Sequence, residues 1–101
     1  MNLSPLEIHP DAVAEAQAAR QWYESRSDDA ARAFVAELDR GIESIRNAPE
    51  LYPAYMHGTR CYLLRRFPYL LIYRVAPTAI QVVAIAHNRR RPGYWRSRAP
   101  R

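Results

Sequence analysis

Apolar residues recur along this chain first at helical spacing and then at strand spacing. Leu3, Leu6 and Ile8 run up to Pro10, so Leu3 to His9 reads as a short first strand interrupted by Pro5. Asp11 is the expected cap of the next helix, with Glu15 near its start. Ala12, Ala16, Ala19 and Tyr23 then recur at intervals of four, three and four, with Trp22 beside them. That is one apolar stripe, and it places Trp22 and Tyr23 in the core.

Ser25 to Asp29 interrupts the period. Ser27 is placed to cap a second helix, with Asp28 and Asp29 favourable in its first turn. Ala31, Phe34, Val35, Leu38, Ile42 and Ile45 form its stripe, and Pro49 ends it. A short turn between two helices predicts an αα-hairpin. Leu51 to Thr59, punctuated by Pro53 and Gly58, reads as a loop. Arg60–Arg66, Tyr69–Val75 and Ala79–Ala86 follow as strands, separated at Pro68 and at Pro77-Thr78. Their short connections imply antiparallel neighbours. The expected fold is therefore α+β, in the order β-α-α-β-β-β, with an antiparallel sheet packed against the N-terminal αα-hairpin.

Composition adds limits. A chain of 101 residues with 49% hydrophobic content suits one domain, 1–101, with one core. No apolar run approaches the ~18 residues of a membrane span, and the first ten residues lack the basic start and apolar stretch of a signal peptide. The single cysteine, Cys61, has no internal partner and reads as a small buried hydrophobe, which fits the cytoplasm. No Cys/His spacing suggests a metal site, and nothing calls for a cofactor.

Charge changes the picture more. Residues 1–50 hold ten acids and five arginines, a balance of −5, while residues 51–101 hold ten arginines and no acid, +10. All fifteen cations are Arg, and arginine binds phosphate and carboxylate in a bidentate fork. A basic second half points to a polyanionic partner, either nucleic acid or an acidic protein. The last fifteen residues carry six arginines, and 96–101 reads as a basic, mobile tail.

Several segments carry a resemblance. They are Trp22-Tyr23-Glu24, Phe34 with the Leu38/Ile42/Ile45 stripe, Asn47-Ala48-Pro49-Glu50, and Arg66-Phe67-Pro68-Tyr69 followed by Tyr73-Arg74-Val75. Val82–Ala86 and then His87-Asn88-Arg89-Arg90-Arg91-Pro92-Gly93-Tyr94-Trp95 complete the set. In this order they resemble the RelE/ParE toxins of bacterial type II toxin–antitoxin pairs. The resemblance implies a small toxin neutralised by a cognate antitoxin whose C-terminal segment is acidic and partly disordered.

It also implies one of two targets. ParE-type members poison DNA gyrase, while RelE-type members cut mRNA on the ribosome. The familiar endonuclease pattern has two lysines on the first strand after the helices, where this chain reads Cys61-Tyr62-Leu63-Leu64, and an arginine after the aromatic opening the next strand, where Leu70 follows Tyr69. Trp95 falls where the family has a tyrosine, and tryptophan cannot transfer a proton. A second endonuclease arrangement uses a histidine ending the last strand; His87 would be that base, with Arg74 and Arg89 on the phosphate. Subtraction favours gyrase, with mRNA cleavage, or a non-toxic nucleic-acid-binding module, as alternatives. The expected binding surface for target or antitoxin is Arg65, Arg66, Arg89, Arg90, Arg91, Tyr94 and Trp95. The plainer readings are a structural His87 bonded to backbone, a solvated arginine run, and a Trp95 folded back on the sheet.

Overall fold

The structure is a computed structural model and describes residues 5–99. Strand β1 (Leu6–Ile8) leads into helix α1 (Pro10–Glu24) and helix α2 (Asp28–Asn47). Strands β2 (Ala54–Tyr55), β3 (Thr59–Leu63), β4 (Tyr69–Val75) and β5 (Ile80–His87) follow. Single 3-10 turns occur at Met56–Gly58 and Arg96–Arg98.

The five strands form one sheet in the order β1-β5-β4-β3-β2. β2 to β5 pair antiparallel as the short connections require, but β1 lies parallel to β5, with Leu6 opposite Ile80 and Ile8 opposite Val82. The sheet is therefore mixed rather than purely antiparallel. The α+β class and the helix hairpin stand as expected. β2 lies in the stretch expected as loop, and a two-residue ribbon carries no period that sequence could reveal. The part of the expected first strand at Leu3 lies outside the described residues.

The helix starts follow from local chemistry. His9, not Asp11, caps α1: its Nδ1 accepts from the Asp11 N–H at 3.0 Å. Pro10 sits at the first helical position, where its fixed φ helps and its missing N–H costs nothing. Ser27 caps α2 as expected, accepting from the Ala30 N–H at 3.3 Å.

The sheet is covered on both faces. On one, Phe34, Leu38 and Ile45 of α2 and Ala12 and Ala19 of α1 pack with Leu71, Tyr73, Val82 and Ile85. Gly41 marks the closest approach: a Cβ there would lie 2.8 Å from both Leu71 Cδ1 and Tyr62 Cε1. On the other face, Ile72, Val83, Ala84 and Ala86 lie with Trp95. A β-bulge joins these cores, because Tyr73 opposes Val82 and Ile72 opposes Ala84, leaving Val83 unopposed. Val83 and Ala84 thus share a face although they are adjacent in sequence. Covered on both faces and paired with β4 along its length and with β1 as far as Val82, β5 is buried from Val82 to Ala86.

Candidate functional site

One end of the sheet collects most of the expected contact residues. Tyr69 opens β4 opposite His87, which closes β5, and the Asn88 N–H donates to the Pro68 carbonyl at 2.8 Å. The β3–β4 turn and the turn after β5 are therefore neighbours. The first presents Arg65 and Arg66, the second Arg89, Arg90 and Arg91, and all five side chains are exposed.

The first turn is held firmly. β3 ends at Leu63, so Arg65 and Arg66 do not alternate across a strand as expected; the Leu64 N–H closes the turn on the Tyr69 carbonyl at 3.0 Å. Leu64 is buried, and Phe67 packs edge-on against Tyr23 and Phe34 at 5.1 and 5.4 Å. Arg66 adopts φ 61°, a left-handed conformation that costs an arginine some strain and persists because the turn is pinned on both sides. Glu37 adds a fastening that the periodicity gave no reason to expect. It is 5% exposed, pairs with Arg40 and lies close to the backbone of Arg65. The Arg40 hydrogen bond outweighs burial and, with Arg66 nearby, holds the carboxyl below the usual carboxylate range.

The second turn is equally defined. The Arg90 N–H bonds the His87 carbonyl at 2.9 Å, and the Arg90 guanidinium lies 3.8 Å from the centre of the Tyr94 ring. Among the described residues, Arg65, Arg66, Arg89, Arg90 and Arg91 form no ion pair with a carboxylate. Beside them opens a groove of about 490 Å³ whose lining includes Glu15, Trp22, Tyr69, Pro68, His87 and Arg90. Trp22 is 52% exposed and stacks under the Arg26 guanidinium at 4.2 Å, which corrects its placement in the core. Its neighbour Tyr23 takes the core position, stacked on Phe34 at 5.3 Å. Two adjacent helical positions differ by about 100°, so the stripe had room for only one ring.

The expected catalytic set is divided: Arg89 lies beside His87, but Arg74 does not. Arg74 and His87 lie at opposite ends of the β4–β5 ladder, Tyr69 facing His87 and Arg74 facing Gln81. Five residues of strand separate them, about 17 Å at ~3.4 Å each. Arg74 is occupied by the Gln81 side-chain oxygen. His87 Nδ1 accepts the Arg89 N–H at 3.0 Å, and its ring meets Tyr69 edge-on at 5.1 Å. In the neutral ring that leaves Nε2 bearing the proton, a donor rather than a base.

Trp95 also leaves the expected surface. At 1% exposed it is the largest fully buried side chain, lying on Ile72, Val83, Ala84 and Ala86. The chain after β5 folds back across the open sheet face because that face needs an apolar cover. The expected tail from residue 96 is tied down as far as residue 99, and residues 100 and 101 lie outside the described residues. The fastening is Glu15 of α1. Its carboxylate accepts from the Ile85 N–H at 3.0 Å, the Tyr94 hydroxyl at 2.5 Å and the Arg98 guanidinium at 2.9 Å. Burial, and then the Glu15 hydrogen bond, push the Tyr94 phenol well up. Tyr94 thus serves the core with its hydroxyl and supports Arg90 with its ring. In sequence Glu15 is only an acid near the helix start, because its partners lie 70 or more positions away.

The described residues hold no cluster able to ligate a metal, and no helix among them is long and apolar enough to cross a membrane. What remains is a small helix-hairpin-on-sheet domain offering arginines and aromatics at one sheet end. A solved structure titled "Chromosomal ParDE TA system from P. aeruginosa" has the same fold, with TM-score 0.73, 20% identity, and coverage of 84% of this chain and 96% of that one. No curated protein matches the sequence. Residues 6–92 match the family described as ParE toxin of type II toxin-antitoxin system, parDE, and the chain belongs to that family. It is a ParE-type toxin.

Proposed function

We propose that this ParE-type toxin arrests growth by binding DNA gyrase, and that a cognate antitoxin with an acidic, partly disordered C-terminal segment neutralises it. The observation that carries the target is the separation of Arg74 from His87 and Arg89. RNA cleavage needs a base for the 2′-hydroxyl, an acid for the leaving oxygen and cations on the phosphate, all within hydrogen-bond reach. Here His87 uses its Nδ1 lone pair on the Arg89 N–H, and Arg74 lies at the other end of the ladder. A poison needs only a contact surface, and five exposed arginines without carboxylate partners among the described residues supply one.

The antitoxin reading is supported by family membership and by the ParDE toxin–antitoxin origin of the similar structure. Charge supports it too: an acidic segment would order on the +10 half of this chain.

The test is induced expression without antitoxin, scoring gyrase-linked DNA breaks and transcript cleavage in the same cells. Wild type should produce breaks without cut transcripts. Replacing Arg65, Arg66, Arg89, Arg90 and Arg91 with Glu should abolish the breaks while the protein stays folded. Transcripts cut by wild type and left intact by His87→Gln would establish the endonuclease instead. With purified antitoxin, the Arg89/Arg90/Arg91→Glu variant should associate more slowly and with a flatter salt dependence.

A further inference from the structure

We propose that the arginine-bearing end of the sheet, with the Trp22 groove, binds an unpaired DNA strand. The arginines would take its phosphates, and the groove would take one or more bases. The proposal deepens the gyrase reading and rests on it for one point only, that the strand is DNA.

Two independent features meet here. The first is cationic: Arg65, Arg66, Arg89, Arg90 and Arg91 sit on two turns locked together by the Asn88–Pro68 hydrogen bond. Their spacing is fixed by the fold rather than by a floppy tail. The nearby carboxylates are already engaged: Glu15 by Arg98 and Tyr94, Glu37 by Arg40, and Glu24 by Arg20. The second feature is aromatic. Trp22 is half exposed in a groove whose other walls include Tyr69 and Pro68, a costly surface to leave in water. The Arg26 guanidinium lies 4.2 Å from the centre of the Trp22 ring, a further cation beside the groove.

These features together select the ligand. Duplex DNA presents phosphates but keeps its bases stacked inside, so it would leave the groove unused. An acidic peptide would satisfy the arginines but has no flat π-face to offer unless aromatic. An unpaired strand supplies regularly spaced phosphates and splayed bases at once. A strand opened at the break made by a type II topoisomerase is of this kind, and holding it would hinder resealing.

The experiment uses the whole toxin and a fluorescein-labelled DNA strand of about twelve nucleotides, with the matching duplex and an oligoglutamate of equal charge as competitors. Anisotropy should show strand binding that neither competitor displaces efficiently. If three phosphates are engaged, the log–log salt slope should be about −2 and should flatten in Arg89/Arg90/Arg91→Glu. Trp22→Ala should weaken binding by about 5- to 150-fold with little change in that slope, and Trp22→Phe should restore most of it. Because Trp22 is exposed, its replacement does not threaten the fold. Absence of strand binding, equal affinity for the duplex, or equal competition by oligoglutamate would overturn the proposal. Strand binding with these losses, in a toxin that leaves gyrase uninhibited, would uphold the single-strand site and sink the gyrase reading, and with it the assignment of the strand as DNA.

Discussion

Replacing Trp95 with alanine should cripple the fold rather than a contact surface. Trp95 is 1% exposed and covers Ile72, Val83, Ala84 and Ala86, which would otherwise form a bare apolar sheet face. A buried aromatic removes about 150–250 Å² from water, which at ~25 cal/mol per Å² is about 4–6 kcal/mol. Measured Trp-to-Ala costs of about 3–5 kcal/mol agree. A domain of this size has only about 5–15 kcal/mol in total. The melting temperature should therefore fall by at least about 12 °C. Loosening Trp95 should also release the neighbouring Tyr94 and Arg98 from Glu15, so the loss should reach α1. The assay is urea denaturation followed by circular dichroism, with amide exchange of Ile85 as a local probe, since that N–H bonds Glu15. Trp95→Phe should recover part of the stability by refilling some of the volume. A Trp95→Ala protein that melts within a few degrees of wild type yet loses toxicity would refute the reasoning and return Trp95 to the binding surface.

Leu38→Ala, at a position 8% exposed in the α2 stripe, should cost about 2–5 kcal/mol; a change below about half a kilocalorie in denaturation would contradict the helix-to-sheet docking. Gly41→Ala improves helix propensity by about 1 kcal/mol but drives a Cβ to 2.8 Å from Leu71 and Tyr62, and overpacking of about 1–3 kcal/mol should win. A stabilised Gly41→Ala protein would show that α2 stands further off the sheet. Tyr73→Phe removes the hydroxyl that donates to the Pro49 carbonyl at 2.6 Å and should cost about 1–3 kcal/mol at neutral pH. Burial pushes that phenol from 10.0 up to about 12, so its contribution is intact below pH 10 and fades as pH rises towards 12. Between those limits wild-type stability should fall more steeply than that of Tyr73→Phe, and parallel pH profiles would mean that the phenol is not buried.

The sequence by itself determined the elements whose causes are local. The Ala31–Ile45 stripe, the Ser27 cap and the prolines at 49, 68 and 77 act within a turn or two, so helix α2 and the central antiparallel strands were legible from spacing alone. The excess of arginine in the second half was legible too, because charge is counted and not folded. Tertiary structure decided whatever depends on partners distant in sequence. β1 joins the sheet parallel because α1 and α2 carry the chain away before β5 returns to it. Trp22 and Tyr23 are neighbours in sequence, yet only contact with Phe34 and Phe67 settled which ring is buried. Glu15 read only as an acid near a helix start, and Glu37 carried no signal, until the fold brought Tyr94 and Arg98 to the first and the β3–β4 turn to the second. Trp95 read equally as a contact residue or as a cover for the sheet, and only the sheet face that it covers decided for the second. The arginines of two turns, more than twenty positions apart, became one surface only through the Tyr69–His87 pairing. A period records which face of its own helix or strand a residue occupies; what that face meets is fixed by hydrogen bonds and packing between segments, which leave no local mark in the chain.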